Sequence, residues 1–163
     1  MEIYVSHPTL SDLAGIMAIE QAVFAEGVAD TVDVMQQRIE YAPETFFVAR
    51  DEAHQILGYI AGSALNQRYI TDDLFKKISA NSLNPEYLLV LGLAVSPHAQ
   101  GQGIAQRLLA SFEQKAQLYQ ARAVSLTCLE HLIMFYEKHG YRNEGVAASQ
   151  HGNQVWYNLV KEI

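Results

Sequence analysis

The feature that most constrains the fold is an almost wholly apolar run at residues 87–95, followed by Pro97 and a glycine turn. A strand that is covered on both faces requires such a continuous run, so the sequence predicts a central β-strand here. Gly101 and Gly103 form the turn, and a long helix is predicted over residues 104–119. Strand, turn and helix are therefore joined in one unit.

The remaining elements follow from hydrophobic periodicity, capping residues and turn signals. Strands are predicted at residues 3–5, 46–50, 56–62 and 124–127, with two more after residue 141, and helices from about residue 11 and over 32–41, 72–79 and 132–138. This order predicts a mixed α/β (α+β) fold around one mostly antiparallel sheet flanked by helices. Because no linker, repeat or low-complexity block divides the chain, residues 1–163 are expected to form one domain.

The charge balance excludes some classes of function. With 18 acidic and 11 basic residues, the formal net charge is −7, so the basic footprint of a nucleic-acid-binding protein is absent. An acidic surface favours the approach of cationic ligands such as amines, although most such carboxylates simply solvate a surface.

Cysteine usage and hydropathy indicate the compartment. The single cysteine, Cys128, excludes an intramolecular disulfide framework, and metal-binding Cys/His spacings are missing, so no metal site is predicted. A secretory signal is not expected, and no apolar run reaches the roughly 18 residues of a membrane span. We expect a soluble cytoplasmic protein.

The glycine turn carries a specific chemical possibility. Glycines at 101 and 103 let backbone N–H groups approach a ligand, and the helix N-terminus behind them adds partial positive charge. This arrangement suits a pyrophosphate, although it matches neither a Walker loop nor a full dinucleotide fingerprint. The alternative is an ordinary strand-to-helix turn that uses glycines for close packing.

Two blocks of sequence resemble the GNAT acetyltransferases. Residues 100–105, QGQGIA, fit the Gln/Arg-x-x-Gly-x-Gly/Ala signature of that superfamily, and the strand before them is similar to the one that enters its loop. Residues 135–141, FYEKHGY, resemble a late family motif in which a tyrosine precedes Glu-Lys-x-Gly-Phe/Tyr. Within the superfamily, residues 19–24, 43–44 and 58–63 look similar to the arylalkylamine (serotonin-type) branch.

The resemblance implies acetyl-CoA as the co-substrate and a splayed central strand pair that admits its pantetheine arm. The arm would pair with the backbone of Leu93, Ala94 and Val95, and Gly92 would ease a bulge. The amides of the glycine turn would hold the phosphates; these residues are Gln100, Gly101, Gln102, Gly103, Ile104 and Ala105.

Catalysis is implied at Tyr136, which stands at the position of the family's tyrosine and would protonate the departing CoA thiolate. Its alternative role is that of a core tyrosine. Cys128 either lines the acetyl channel or acts as a small buried hydrophobe. The aromatic residues that could line an acceptor pocket are Phe24, Tyr41, Phe46, Phe47 and Trp156; the alternative, expected for most of them, is a place in the core.

The general base is left open by the sequence. Leu89 and Leu91 stand where the serotonin-type enzymes place histidines, and Leu129 stands where many members carry asparagine. The candidates that remain are Glu20, Glu86, His98 and His131.

The leading hypothesis is N-acetylation of a small cationic primary amine, an arylalkylamine or a polyamine. The alternatives are acetylation of a protein N-terminus or lysine, and a GNAT module that binds acetyl-CoA without turnover. Whether the terminal strands form a homodimer is left open.

Overall fold

A computed structural model describes residues 2–163. The described residues form seven strands: β1 (Tyr4–Ser6), β2 (Phe46–Arg50), β3 (Ile56–Leu65), β4 (Tyr87–Val95), β5 (Ala123–Cys128), β6 (Arg142–Val146) and β7 (Tyr157–Glu162). The α-helices are α1 (Leu13–Val23), α2 (Val32–Tyr41), α3 (Ile104–Leu118) and α4 (Ile133–Lys138). Among these residues no helix is long and apolar enough to cross a membrane.

All seven strands form one sheet in the order β1-β2-β3-β4-β5-β7-β6. Only β4 and β5 pair in parallel, and every other neighbouring pair is antiparallel. The mixed α/β fold with a mostly antiparallel sheet is thus confirmed.

Helices cover both faces of the sheet, which explains why the central strands are apolar throughout. Leu108 and Phe112 of α3 pack on one face, and Ile16 of α1 and Met35 of α2 pack on the other. Gly62 of β3 permits the close approach of α3, because a Cβ atom there would lie 2.6 Å from the Phe112 ring.

Most predicted bounds lie within two residues of the structure, β3 extends three residues further than predicted, to Leu65, and one predicted helix is replaced by a shorter turn. The first strand is shifted by one residue, to Tyr4–Ser6. The helix predicted over residues 72–79 is a single 3-10 turn, Asp72–Phe75. Tertiary contacts explain its early end: the Asp72 carboxylate accepts hydrogen bonds from the Ser149 hydroxyl and the Gln150 amide, and Phe75 stacks on His151.

Candidate active site

The centre of the sheet contains an opening between β4 and β5. Their pairing ends at Val90 and Leu126, although β4 continues to Val95 and β5 to Cys128. The β5-facing backbone edge of residues 91–95 is therefore free to pair with a ligand. The splayed central strand pair is confirmed.

A β-bulge lies at the start of this free edge. Gly92 is paired with Ala61 and Val90 with Gly62, so Leu91 is the extra residue of β4. A bulge bends the strand and redirects its neighbouring peptide groups. The predicted bulge thus lies beside Gly92, at the point where the two strands separate.

The glycine turn lies directly beyond the free edge. Gly101 and Gly103 have φ values of +81° and +77°, in the left-handed region that glycine adopts without strain. Gly103 is the N-cap of α3 and has no side chain to satisfy the first amides of that helix. These N–H groups and the helix dipole form a site suited to an anionic group.

One cavity of about 970 Å³ connects the strand opening, the glycine turn and helix α4. Of the residues implied for the cofactor, Leu93, Ala94, Val95, Gln100, Gly101, Gly103, Ile104 and Ala105 line it. The side chain of Gln102 is exposed and is not part of the lining. The structure therefore brings all but one of these residues together, while their role in binding acetyl-CoA stays a prediction.

Tyr136 and Cys128 lie together on the cavity wall, and both are buried. The Tyr136 ring packs edge-on against Phe135 and Tyr141, with centroids 5.1 and 5.7 Å away. Burial, and to a smaller extent Cys128, raises the pKa of Tyr136 far above its usual value, so its hydroxyl stays protonated at neutral pH. Burial raises the pKa of Cys128 to about 12, which leaves a neutral thiol without nucleophilic character.

The opposite end of the cavity is acidic. Glu20 of α1 and Asp30 of the α1–α2 loop both line it, and the Asp30 amide donates to Glu20 Oε2 at 2.7 Å. Arg38 of α2, 1% exposed, donates from Nη1 to Asp30 Oδ2 at 2.7 Å. Desolvation is the largest cause that raises the pKa of Glu20 to about 7.

Two loops close over this acidic end. The His151 ring nitrogen Nε2 lies 2.9 Å from the Val28 carbonyl oxygen, which joins the β6–β7 loop to the α1–α2 loop. Phe75 stacks on the His151 ring at 4.7 Å, and Trp156 Nε1 donates to the His151 carbonyl oxygen at 2.7 Å. Phe75, His151 and Trp156 thus line the same cavity as the two carboxylates.

The predicted acceptor-pocket aromatics divide into two groups. Phe24 and Trp156 line the cavity. Phe46 is fully buried in the core, Tyr41 is 54% exposed, and Phe47 lies beside a separate surface depression next to α3. These three residues are not part of the cavity lining, and Phe46 takes the alternative role of a core residue; residue type alone does not show which face of a helix or strand carries a side chain.

The candidate bases also fall into two groups, those that line the cavity and those that lie outside it. Glu20 and His131 line the cavity. Glu86 pairs with Arg122 at 3.2 Å, at the far end of β4, and the His98 ring nitrogen Nδ1 lies 2.8 Å from Ser96 Oγ. Neither Glu86 nor His98 is part of the cavity lining.

Sequence reasoning missed Asp30, Phe75 and His151. All three lie in loops or in a short turn, where no periodic pattern exists to place them. The position of Glu20 did carry a signal: it lies four residues after Ile16 and three after Met17, both buried, so helical spacing puts it on the apolar face of α1.

Comparison with known proteins identifies the class as the acetyl-CoA-dependent N-acetyltransferases. The profile of the family described as "Acetyltransferase (GNAT) domain" matches residues 42–143. This match covers more than half of the sequence, and the chain belongs to that family. It includes the strand opening, the glycine turn and Tyr136, but not α1, α2 or the β6–β7 loop, which form the acidic end. No protein of curated function matched the sequence.

Solved structures share the fold across the whole chain. The loading GNATL domain of CurA from Lyngbya majuscula has a TM-score of 0.84 and 17% identity, and the match covers 99% of this chain and 98% of that one. Ard1 from Thermoplasma volcanium has a TM-score of 0.79 at 17% identity, covering 100% and 99%. Arabidopsis thaliana Naa50, in complex with the bisubstrate analogue CoA-Ac-MVNAL, has a TM-score of 0.76 at 15% identity, covering 100% of both chains.

Proposed function

We propose that this protein transfers the acetyl group of acetyl-CoA to a small cationic primary amine. One observation carries the proposal. A single cavity joins the free strand edge and the glycine turn to an end with two carboxylates and aromatic walls. The first part suits a pantetheine arm and phosphates, and the second suits an ammonium group attached to an apolar body.

The residues present fit acetyl-CoA. The unpaired edge of Leu93, Ala94 and Val95 offers peptide groups to the pantetheine amides, as an added strand would. The amides from Gln100 to Ala105 offer donors to the pyrophosphate. No atom lies within 4 Å of a Cβ position built on Gly101, so a ligand meets open space there.

Tyr136 is the proposed general acid. The thioester is already activated, so the protein must mainly position the amine and supply a proton to the departing thiolate. Its position on the cavity wall beside Cys128, below the strand opening, supports the proposed role; burial keeps the hydroxyl protonated throughout the neutral range, although the raised pKa also makes it a weaker acid. The neighbouring Cys128 thiol adds no negative charge to oppose the thiolate.

The acceptor is proposed to be small, and an arylalkylamine fits best. The His151–Val28 contact ties the two loops together over the acidic end, which leaves less room for a polypeptide. Phe24, Phe75 and Trp156 supply walls for an aromatic or long apolar group.

Protein N-terminal acetylation is the second candidate. It is favoured by the likeness in fold to Arabidopsis Naa50, whose structure contains a peptide-based bisubstrate analogue. A peptide would need the two loops to separate, whereas a small amine would not.

The test measures thiol release from acetyl-CoA with phenethylamine, spermidine and peptides of matched length that carry acidic or basic residues. We expect the small amines to give the larger kcat/KM. Because charge attraction contributes, their advantage over the acidic peptides should shrink as salt rises from about 0.01 to 1 M. A preference for acidic peptides, or for alcohols, would overturn the proposal.

A further inference from the structure

The α1–α2 and β6–β7 loops are in direct contact at the acidic end of the cavity. The His151 ring nitrogen Nε2 lies 2.9 Å from the Val28 carbonyl oxygen, and both residues line the cavity. A carbonyl oxygen only accepts, so Nε2 carries the hydrogen of this bond. A Cβ atom added to Gly152 would lie 2.6 Å from Val28 Cγ2, so the loops approach too closely for a further side chain. We call this contact the His151–Val28 bridge.

The β6–β7 side of the bridge is held by three contacts. Phe75 stacks on the His151 ring, with centroids 4.7 Å apart and an interplanar angle of 15°. The Trp156 indole donates to the His151 carbonyl oxygen at 2.7 Å. The Gln150 amide donates to the Asp72 carboxylate at 3.2 Å. Stacking and hydrogen bonding together hold the imidazole in the orientation that reaches the other loop.

The α1–α2 side of the bridge is anchored by a buried ion pair. Arg38 of α2, 1% exposed, donates from Nη1 to Asp30 Oδ2 at 2.7 Å, two positions after Val28. The Asp30 amide donates to Glu20 at 2.7 Å, and the Val28 amide donates to the Ala25 carbonyl oxygen at 3.0 Å. Because breaking a buried ion pair is strongly destabilising, this loop resists displacement. The bridge therefore joins two supported segments.

We propose, resting on the proposed acetyl transfer, that His151 is a specificity-determining residue. Its bridge to Val28 closes the acidic end of the cavity and restricts the acceptor to small amines. A small amine needs only the space inside the cavity, where Phe24 and Trp156 form part of the wall.

A peptide differs from a small amine because its chain must leave the cavity. The free strand edge and the glycine turn suit acetyl-CoA, so the peptide chain would leave at the acidic end, where the bridge lies. Its passage requires the His151–Val28 hydrogen bond to break and Phe75 to lose its stacked partner. This cost falls on binding of the longer acceptor, and specificity arises from a barrier to the wrong ligand.

The test uses three acceptors that share one arylethylamine unit: phenethylamine, phenylalanine amide, and a tripeptide amide that begins with phenylalanine. The readout is the ratio of kcat/KM for the tripeptide amide to kcat/KM for phenethylamine, with acetyl-CoA as the donor. In His151→Ala we expect this ratio to rise about 10–100-fold, because one hydrogen bond and one stacked pair no longer oppose the peptide. The rise should come from a lower KM for the tripeptide amide, with phenylalanine amide intermediate.

Two further variants separate the bridge from the rest of the loop. His151→Gln supplies an amide donor in place of Nε2 and should keep the ratio within about threefold of the parent. Gln154, exposed in the same loop and also on the cavity wall, gives the matched control Gln154→Ala, which leaves both bridge atoms in place and should likewise keep the ratio. Acetyl-CoA should raise the melting temperature of each variant, which shows that folding and cofactor binding are intact.

The outcomes separate this inference from the function on which it rests. A parent that favours phenethylamine, with an unchanged ratio in His151→Ala, overturns the role of His151. An equal rise in His151→Gln and His151→Ala, or a rise caused only by lost phenethylamine activity, overturns it as well. A parent that acetylates none of the three acceptors, or that already favours the tripeptide amide, overturns the proposed function itself.

Discussion

Replacing Glu20 with glutamine should stabilise the folded protein at alkaline pH. Glu20 is 2% exposed, and its pKa is raised from the ordinary value of 4.5 to about 7. The folded protein therefore holds this proton more tightly than the unfolded chain does. Below about pH 4.5 the side chain is neutral in both states and its burial carries no charge penalty.

The sign and size of the stability change follow from the difference in proton affinity between the folded and unfolded states. Stability contributed by the bound proton is lost as the pH rises through about 7, where the folded protein must ionise a desolvated carboxylate. Because a tenfold change in proton affinity corresponds to about 1.4 kcal/mol, the ionised side chain costs about 3 kcal/mol at pH 8.5. Glutamine is neutral at every pH, and its oxygen can still accept the Asp30 amide.

The assay is urea unfolding of the parent and Glu20→Gln at pH 5, 6, 7 and 8.5 without acetyl-CoA, followed by circular dichroism. We expect the variant to gain up to about 3 kcal/mol relative to the parent between pH 5 and 8.5. Glu26→Gln, at an exposed position of the α1–α2 loop that follows Glu20, should show no such trend. A difference that does not change with pH, or a variant less stable than the parent at pH 8.5, would refute the reasoning.

Two other predictions concern the opposite end of the cavity. Acetyl-CoA should raise the melting temperature of the parent but not that of Gly103→Val. Gly145→Val is the control, because Gly145 also has a positive φ but lies in β6 outside the cavity lining, and it should keep the shift. An unchanged shift in Gly103→Val would contradict the phosphate role of the turn. Tyr136→Phe should lower kcat about 10²–10⁴-fold with acetyl-CoA affinity retained, because the hydroxyl is needed chiefly in the transition state. A kcat within about twofold of the parent, when chemistry is rate-limiting, would make Tyr136 a structural residue.

The elements that the sequence predicts to the residue are those with an unambiguous local pattern. Strand β4 is a continuous apolar run that ends before Pro97, and α2 is bounded by the Thr31 cap and Pro43. At residues 72–79 the local pattern predicts a helix, but contacts with Ser149, Gln150 and His151 limit the segment to one turn. Those partners lie more than 70 positions away in the chain, so no local window contains them.

The candidate site also contains parts that follow from local sequence patterns and parts that depend on long-range contacts. The glycine turn and Tyr136 lie in short motifs, and the strand opening follows from the fold. The acidic end is assembled from α1, the α1–α2 loop and the β6–β7 loop, and its closure depends on a contact between Val28 and His151, 123 positions apart. Sequence reasoning could name Glu20 and Trp156 as candidates, but it could not show that they share a cavity with Asp30.

The structure also bears on which groups surround the substrate end of the cavity. The β4 positions that hold histidines in the resembled branch are Leu89 and Leu91, both buried, so the strand offers no base. The opposite wall carries two carboxylates in different surroundings: Asp30 is paired with the buried Arg38 guanidinium, and Glu20 accepts the Asp30 amide hydrogen bond. Two neighbouring acids whose environments differ in this way can take different roles, one holding the loop and the other titrating near neutral pH. Removing the Arg38 guanidinium would leave the buried Asp30 carboxylate without its cation, whereas Glu20→Gln leaves that ion pair intact.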